Sequence, residues 1–138
     1  MLGVADVKFE DNTIKVHGAI EKKINVVLEE CASSLERKVK RRSKVDTGQT
    51  KGAWSHYVDA DKHEAVVGNP LENAIWEEFG TGEYADGGNG RKGGWSYKDE
   101  KGKWHHTYGK KPKRTLFNTF KGAKNAIINH IQESFKEL

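Results

Sequence analysis

The side chains able to do chemistry in this sequence are few, and their spacing does not suit it. His105 and His106 are adjacent; on a strand neighbours point to opposite faces, so the two cannot share one metal. Glu77 and Glu78 are neighbours in a helical stretch and face about 100° apart, which is no general acid–base pair. Cys31, the single cysteine, falls inside an apolar helical stripe with nothing nearby to lower its pKa. That is the setting of a packed core thiol rather than a nucleophile. His17, His56, His63 and His130 are scattered and read as unpaired surface or half-buried side chains. Gly88-Asn89-Gly90-Arg91-Lys92-Gly93 matches the dinucleotide-binding letters, but no buried strand precedes it and no helix follows. With no phosphate-binding loop, no metalloprotease pair and no cysteine cluster, the sequence predicts no catalysis, no metal and no cofactor.

Two basic stretches remain. Arg37, Lys38, Lys40, Arg41 and Arg42 crowd one helix end, and Arg91 to Arg114 is basic with Trp95, Tyr97, Trp104 and Tyr108 interleaved. Such a combination can track a phosphate backbone and stack on bases. It can equally meet acidic protein surfaces, and it lacks a helix-turn-helix, finger or RNP pattern. Both sets are therefore candidate interface residues, with direct DNA binding the less favoured use.

The elements that must carry them follow from periodicity. Val4 to Val16 alternates about Asp11-Asn12 and is expected to form a small hairpin. From about Gly18 to Ser43, Ile20, Ile24, Val27, Leu28, Cys31 and Leu35 recur at spacings of three and four, giving a long helix. Its stripe is expected to stop at Leu35, since Lys38 and Arg42 stand where it would continue. The cations then either complement the helix dipole or overhang the core as a basic knob. Val45-Asp46-Thr47-Gly48 turns the chain into a second hairpin, Ala53 to Gly68, with Trp54, His56 and Val58 on one face. Asn69 to Gly82 reads as a short helix capped by Asn69, with Pro70 in its first turn, Glu72 as capping-box partner and Gly80 as its stop. Leu71, Ala74, Ile75, Trp76 and Phe79 cover nearly half its circumference, so it is expected to be wedged between larger elements. Glu78 lies inside that apolar arc and needs a partner: backbone N–H groups around Asp46 to Gly48, or a cation near the first helix end.

Residues 83–111 have no helical period. They are expected to form a long loop or a hairpin about Asp99-Glu100-Lys101-Gly102, mobile in the free chain and ordered by neighbours. A last helix begins near Thr115 with Leu116, Phe117, Phe120, Ala123, Ile127, Ile128, Ile131 and Phe135 as its stripe. The whole is expected to be one α+β domain over residues 1–138, hairpins of an antiparallel sheet packed against two long amphipathic helices plus one short helix. The 138 residues, net charge of +4 and pI near 9.1 suit a single basic domain. No apolar run approaches bilayer length and no signal peptide is apparent, so an intracellular origin and no membrane partner are expected.

Asp46-Thr47-Gly48 after a basic-ended helix, then Ala74-Ile75-Trp76-Glu77-Glu78-Phe79-Gly80-Thr81-Gly82, then Gly93-Gly94-Trp95 and Lys110-Lys111-Pro112 before a terminal helix, form a recognisable order. It resembles the tail-component family of long-tailed double-stranded-DNA phages, also called tail-completion or head–tail joining (neck) proteins. The similarity runs from about residue 17 to the C-terminus, and its specific part is Glu78-Phe79-Gly80-Thr81. Thr50 stands where the family usually has leucine. Lys113-Arg114-Thr115-Leu116 replaces a second proline and phenylalanine after Pro112. The resemblance implies a non-catalytic virion protein, made in the host cytoplasm, that packs as a ring of copies at the head–tail interface or tail end. Its implied partners are itself and other head-completion and tail proteins. It also implies that Asp46, Thr47, Gly48, Trp76, Glu78, Phe79, Gly80 and Thr81 form a structural motif. The alternative from another class is a small basic nucleic-acid-binding protein.

Overall fold

The computed structural model of the chain describes residues 11–43 and 49–136. Helix α1 spans Thr13–Arg42, roughly 45 Å at 1.5 Å per residue. It begins earlier than its apolar stripe suggests. Asp11 Oδ1 accepts the Thr13 amide at 3.0 Å, so the pair read as a hairpin turn starts a helix instead. Ile14 and Val16 stand exposed on its first turns, not in a strand. The other half of the expected first hairpin lies outside the described residues, as do Asp46, Thr47 and Gly48.

The stripe of α1 does not stop at Leu35. Val39, one i+4 step on, is the most deeply buried side chain described, with no exposed surface. Beyond it the Ser43 hydroxyl donates to the Val39 carbonyl at 2.9 Å and accepts the Trp54 indole N–H at 2.7 Å. The basic end of α1 therefore lies over the core and does not overhang it.

A single turn, α2 (Gln49–Gly52), leads into β1 (Ser55–Asp59) and β2 (Glu64–Gly68). The two pair antiparallel from Ser55↔Gly68 to Asp59↔Glu64. Asp59 Oδ1 accepts the Asp61 and Lys62 amides and shapes the turn. Helix α3 (Glu72–Phe79) follows. Asn69 does not cap it: its Oδ1 accepts the Leu71 amide at 3.0 Å in a local turn, and the helix starts at Glu72. Strands β3 (Trp95–Lys98) and β4 (Trp104–Thr107) form a second hairpin, and α4 (Thr115–Phe135) closes the chain. The arrangement is α+β, with the four strands among the described residues in two separate two-stranded sheets.

Helices α1 and α4 run side by side in opposite directions. His130 Nε2 meets Glu30 at 2.6 Å toward one end, and Gly122 lies beside the Arg42 guanidinium at the other. The core sits between them and the first hairpin: Leu35, Val39, Trp54 and Ala123, with Val67, Leu116 and Ile127 against it.

Candidate functional site

The stretch from Glu78 to Gly82 is a clasp. Helix α3 ends on the amide of its own Gly80 and leaves further carbonyl groups in need of donors, two of which the segment before α4 satisfies. The Gly80 amide bonds the Trp76 carbonyl at 2.8 Å, the Lys113 amide bonds Glu77 O at 2.8 Å, and the Arg114 amide bonds Glu78 O at 3.3 Å. The Glu78 carboxylate then reaches forward to the start of α4. Its two oxygens accept the Leu116 and Phe117 amides, each at 2.9 Å. No side chain of α4's own N-cap residue, Arg114, does this work; Arg114 is left-handed at φ 49° and pairs instead with Asp86 at 2.8 Å. A carboxylate from another helix thus satisfies two orphan donors and sits at the positive end of the α4 dipole. These partners, 38 and 39 residues away, differ from the ones anticipated near Asp46 or the α1 end.

Gly80 has φ 78°, and a Cβ there would stand 2.8 Å from Lys110 O and 2.9 Å from Pro112 Cδ. Thr81 donates its amide to Lys110 O and accepts the Lys110 amide on its hydroxyl, both at 2.9 Å. The Glu83 amide bonds Tyr108 O at 2.9 Å. Gly82 and Gly109 pass each other so closely that a Cβ on either would strike the other's backbone neighbours, Tyr108 O and Thr81 O. Residues 83–109 therefore leave and rejoin the body through one backbone crossing.

Above the clasp the apolar arc of α3 is not wedged between elements. Only Ala74 is buried; Ile75, Trp76 and Phe79 keep about half of their surface. Ile75 and Phe79 look into an open cleft of about 710 Å³ between α1, α4, β2 and α3. Leu28 and Leu35 form part of its floor, and Val66, Phe117 and Phe120 stand at its sides, 57%, 54% and 46% exposed. Cys31 faces the same cleft, and burial together with the Glu30 charge pushes its thiol pKa up. That makes it a poor nucleophile, as its place in the stripe suggests.

Between hairpin and helix, His56 is held by two carboxylates of α1. Its Nε2 lies 2.6 Å from Glu29, and its Nδ1 stands 3.3 Å from Glu36 without an aligned hydrogen bond. The Glu29 bond raises the His56 pKa, against a smaller opposing effect of burial. His130 is likewise paired, to Glu30, so these two are not the unpaired histidines expected. His105 and His106 do fall on opposite faces. His105 bonds Asp99 at 2.7 Å, which lowers the Asp99 pKa, and His106 meets Ser96 at 3.1 Å.

Among the described residues no hydrogen bond, ion pair or ring contact joins the two candidate interface sets. Arg37, Arg41 and Arg42 are exposed on α1, while Lys38 and Lys40 are half-buried. Arg37 bonds Ser33, and Lys40 lies 3.7 Å from Glu36. On the second hairpin Tyr97 stacks on His105, Tyr108 meets His106 edge-on, and Arg91 lies over Trp95. Trp104 has none of these ring contacts among the described residues and is 66% exposed. The dinucleotide letters at Gly88 to Gly93 run into β3 rather than a helix. Among the described residues no cluster could hold a metal ion, and no helix is long and apolar enough to cross a membrane.

Comparisons with curated proteins and with solved structures return no match. A family model described as "Bacteriophage HK97-gp10, putative tail-component" matches residues 8–80. The matched region holds α1, the β1–β2 hairpin and α3 up to the glycine of the clasp; the second hairpin and α4 lie beyond it. By that match, over more than half of its length, the chain belongs to the HK97 gp10-like family of phage tail components.

Proposed function

We propose that the chain is a structural protein of the phage virion that assembles as a ring of copies at the head–tail interface or tail end, where it completes the tail or joins it to the head. Family membership carries this reading. The open cleft supports it, because large apolar side chains left half-exposed around one concavity mark a surface meant to be covered. The clasp supports it too. It fixes α3, the root of the second hairpin and the start of α4 in one rigid unit, as a subunit of a ring requires. In this reading the hairpin aromatics and the basic residues of α1 supply contacts to neighbouring copies or rings, and no step is catalytic.

Deleting the gene in the producing phage, followed by electron microscopy of the lysate, tests this. Heads and tails that fail to join, or tails with an unfinished end, are expected, with the purified protein adding a ring density when it is restored. Normal, infectious particles without the protein would overturn it. The basic hairpin also leaves a nucleic-acid reading open to test. Retardation of DNA by the chain at roughly 0.15 M salt would favour that reading over the structural one.

A further inference from the structure

We propose that the apolar cleft receives the β3–β4 hairpin of a second copy of this chain, with Trp104 as the side chain that enters it. This rests on the ring reading and names its contact. The first argument is that donor and receptor are both present, both uncovered by the described residues, and in different places on one molecule. The cleft has apolar walls that include Ile75, Phe79 and Phe117, and no lining residue comes from 83–111. Among the described residues, a chain's own hairpin therefore does not fill its cleft. Two unlike complementary patches on one subunit give a head-to-tail contact, the kind that closes into rings, whereas a twofold dimer uses one patch twice.

Charge supplies the second argument. Residues 53–79, which include β2 and α3 beside the cleft, carry six acidic side chains and one lysine, with Glu77 already near Lys113 and Glu78 engaged by the α4 amides. Residues 91–111 carry seven basic side chains and two acidic ones, and of these Asp99 is already engaged by His105. The two surfaces are opposite in sign, which steers encounter and suppresses like-to-like pairing of hairpins.

The third argument is the state of the aromatics. Trp95, Tyr97 and Tyr108 each have a partner within the hairpin, while Trp104 has none of their ring contacts. Pairing of Lys98 with Trp104 and of Ser96 with His106 puts Trp104 on a face beside Lys98. An exposed indole beside a cation, offered to an apolar pocket on an acidic stretch of chain, has the anatomy of an interface anchor and its polar rim.

The test uses two variants, each altered in one half of the contact. Trp104→Ala removes the donor and leaves the cleft. Ile75→Lys, at a half-exposed position, blocks the cleft and leaves the hairpin; Val66→Asp serves if the first does not fold by circular dichroism. Wild-type protein is expected to associate in sedimentation velocity, and each variant alone to bind at least about thirtyfold more weakly, the scale of a hot-spot loss. Mixed one to one, the variants should form a heterodimer and nothing larger, since only one productive contact survives. Wild-type association that persists in both variants, or a mixture that forms no heterodimer, overturns the contact and leaves the ring reading standing. If removal of residues 1–10 abolishes association while Trp104→Ala does not, that segment is the occupant and the proposal falls. A wild-type chain that stays monomeric in solution and in cross-linked particles overturns the ring itself, and the contact with it.

Discussion

The body of the domain and the excursion between Gly82 and Gly109 are built on different principles. In the body, α1, α4 and the first hairpin bury Leu35, Val39, Trp54 and Ala123 against one another, so apolar burial holds the elements in place. In the excursion the only aliphatic side chain is Ala85. There the chain is held by backbone bonds across Thr81, Glu83, Tyr108 and Lys110 and by glycines that let those backbones touch. Burial is cooperative and tolerant of small shifts. A backbone crossing is neither; it fixes a position accurately while adding little stability. A domain with both has a durable frame and a precisely rooted arm whose own surface is left free for another molecule.

The largest effect should come from the frame. Trp54→Ala removes a buried indole and leaves the Ser43 hydroxyl without its donor. A loss of about 3–5 kcal/mol is expected, read as a shift of the urea midpoint with all probes moving together. A smaller or non-coincident transition would mean that the core is not the common support of both regions.

Glu78 sits where the two regions join. Glu78→Ala takes a charged acceptor from two amides at the start of α4 and should cost about 2–3 kcal/mol. Glu78→Gln, which keeps one acceptor oxygen, should lose roughly half of that. Loss of amide protection at Leu116 and Phe117 before the rest of α4 checks the mechanism. If Glu78→Gln unfolds with the wild type yet blocks particle assembly, the carboxylate belongs to an interface and the capping role is wrong.

Much of the body was legible in the sequence, and particular residues show why. The alternation of Trp54, His56 and Val58 identifies β1 because one face of that strand meets the core. Thr115 marks the start of α4 because Pro112 forbids an earlier helix and the stripe begins at Leu116. Ile14 and Val16, spaced by two, imitate a strand although they lie on an exposed helical turn, where no packing enforces a helical period. Val39 carried a readable signal, one i+4 step from Leu35, obscured by the lysines and arginines around it. The cleft was not legible. Ile75, Phe79, Phe117 and Phe120 read as core on their own helices, and only the spacing of those helices in three dimensions shows that no described residue covers them. The Glu78 contact was half legible: a carboxylate in an apolar arc demands a partner, but no local pattern names amides 38 residues away.

The excursion should yield before the frame does. Lysines 98, 101 and 103 at the hairpin end are expected to be the first sites cut by trypsin in the isolated chain, with the body surviving as a resistant fragment. Gly82→Ala should hasten that cut. Its left-handed φ of 62° and the contact with Tyr108 O are expected to cost the crossing at least about 2 kcal/mol, while the body's urea midpoint stays near the wild-type value. A midpoint that falls as far as in Trp54→Ala would show that the two regions are one cooperative unit. Protection of Trp95 to Tyr108 on assembly would connect the free arm to its use.

The smallest effect is a test of sign. His56 links the hairpin to α1 through Glu29 and Glu36, and its folded-state pKa is raised above the ordinary value, first by the Glu29 hydrogen bond. The native state then prefers the protonated ring. Its contribution is fully present below the unfolded pKa of about 6.5 and is lost as pH rises through the higher folded pKa. Glu29 is more than half exposed, so screening by water holds the size within about 1 kcal/mol. His56→Asn should therefore be less stable than wild type at about pH 6, and the gap should narrow by about pH 8.5. Urea midpoints of both proteins at the two pH values decide it. A gap that widens with rising pH would mean that the neutral ring is the native form, and that His56 serves the frame by burial alone rather than as an ionic tie between hairpin and helix.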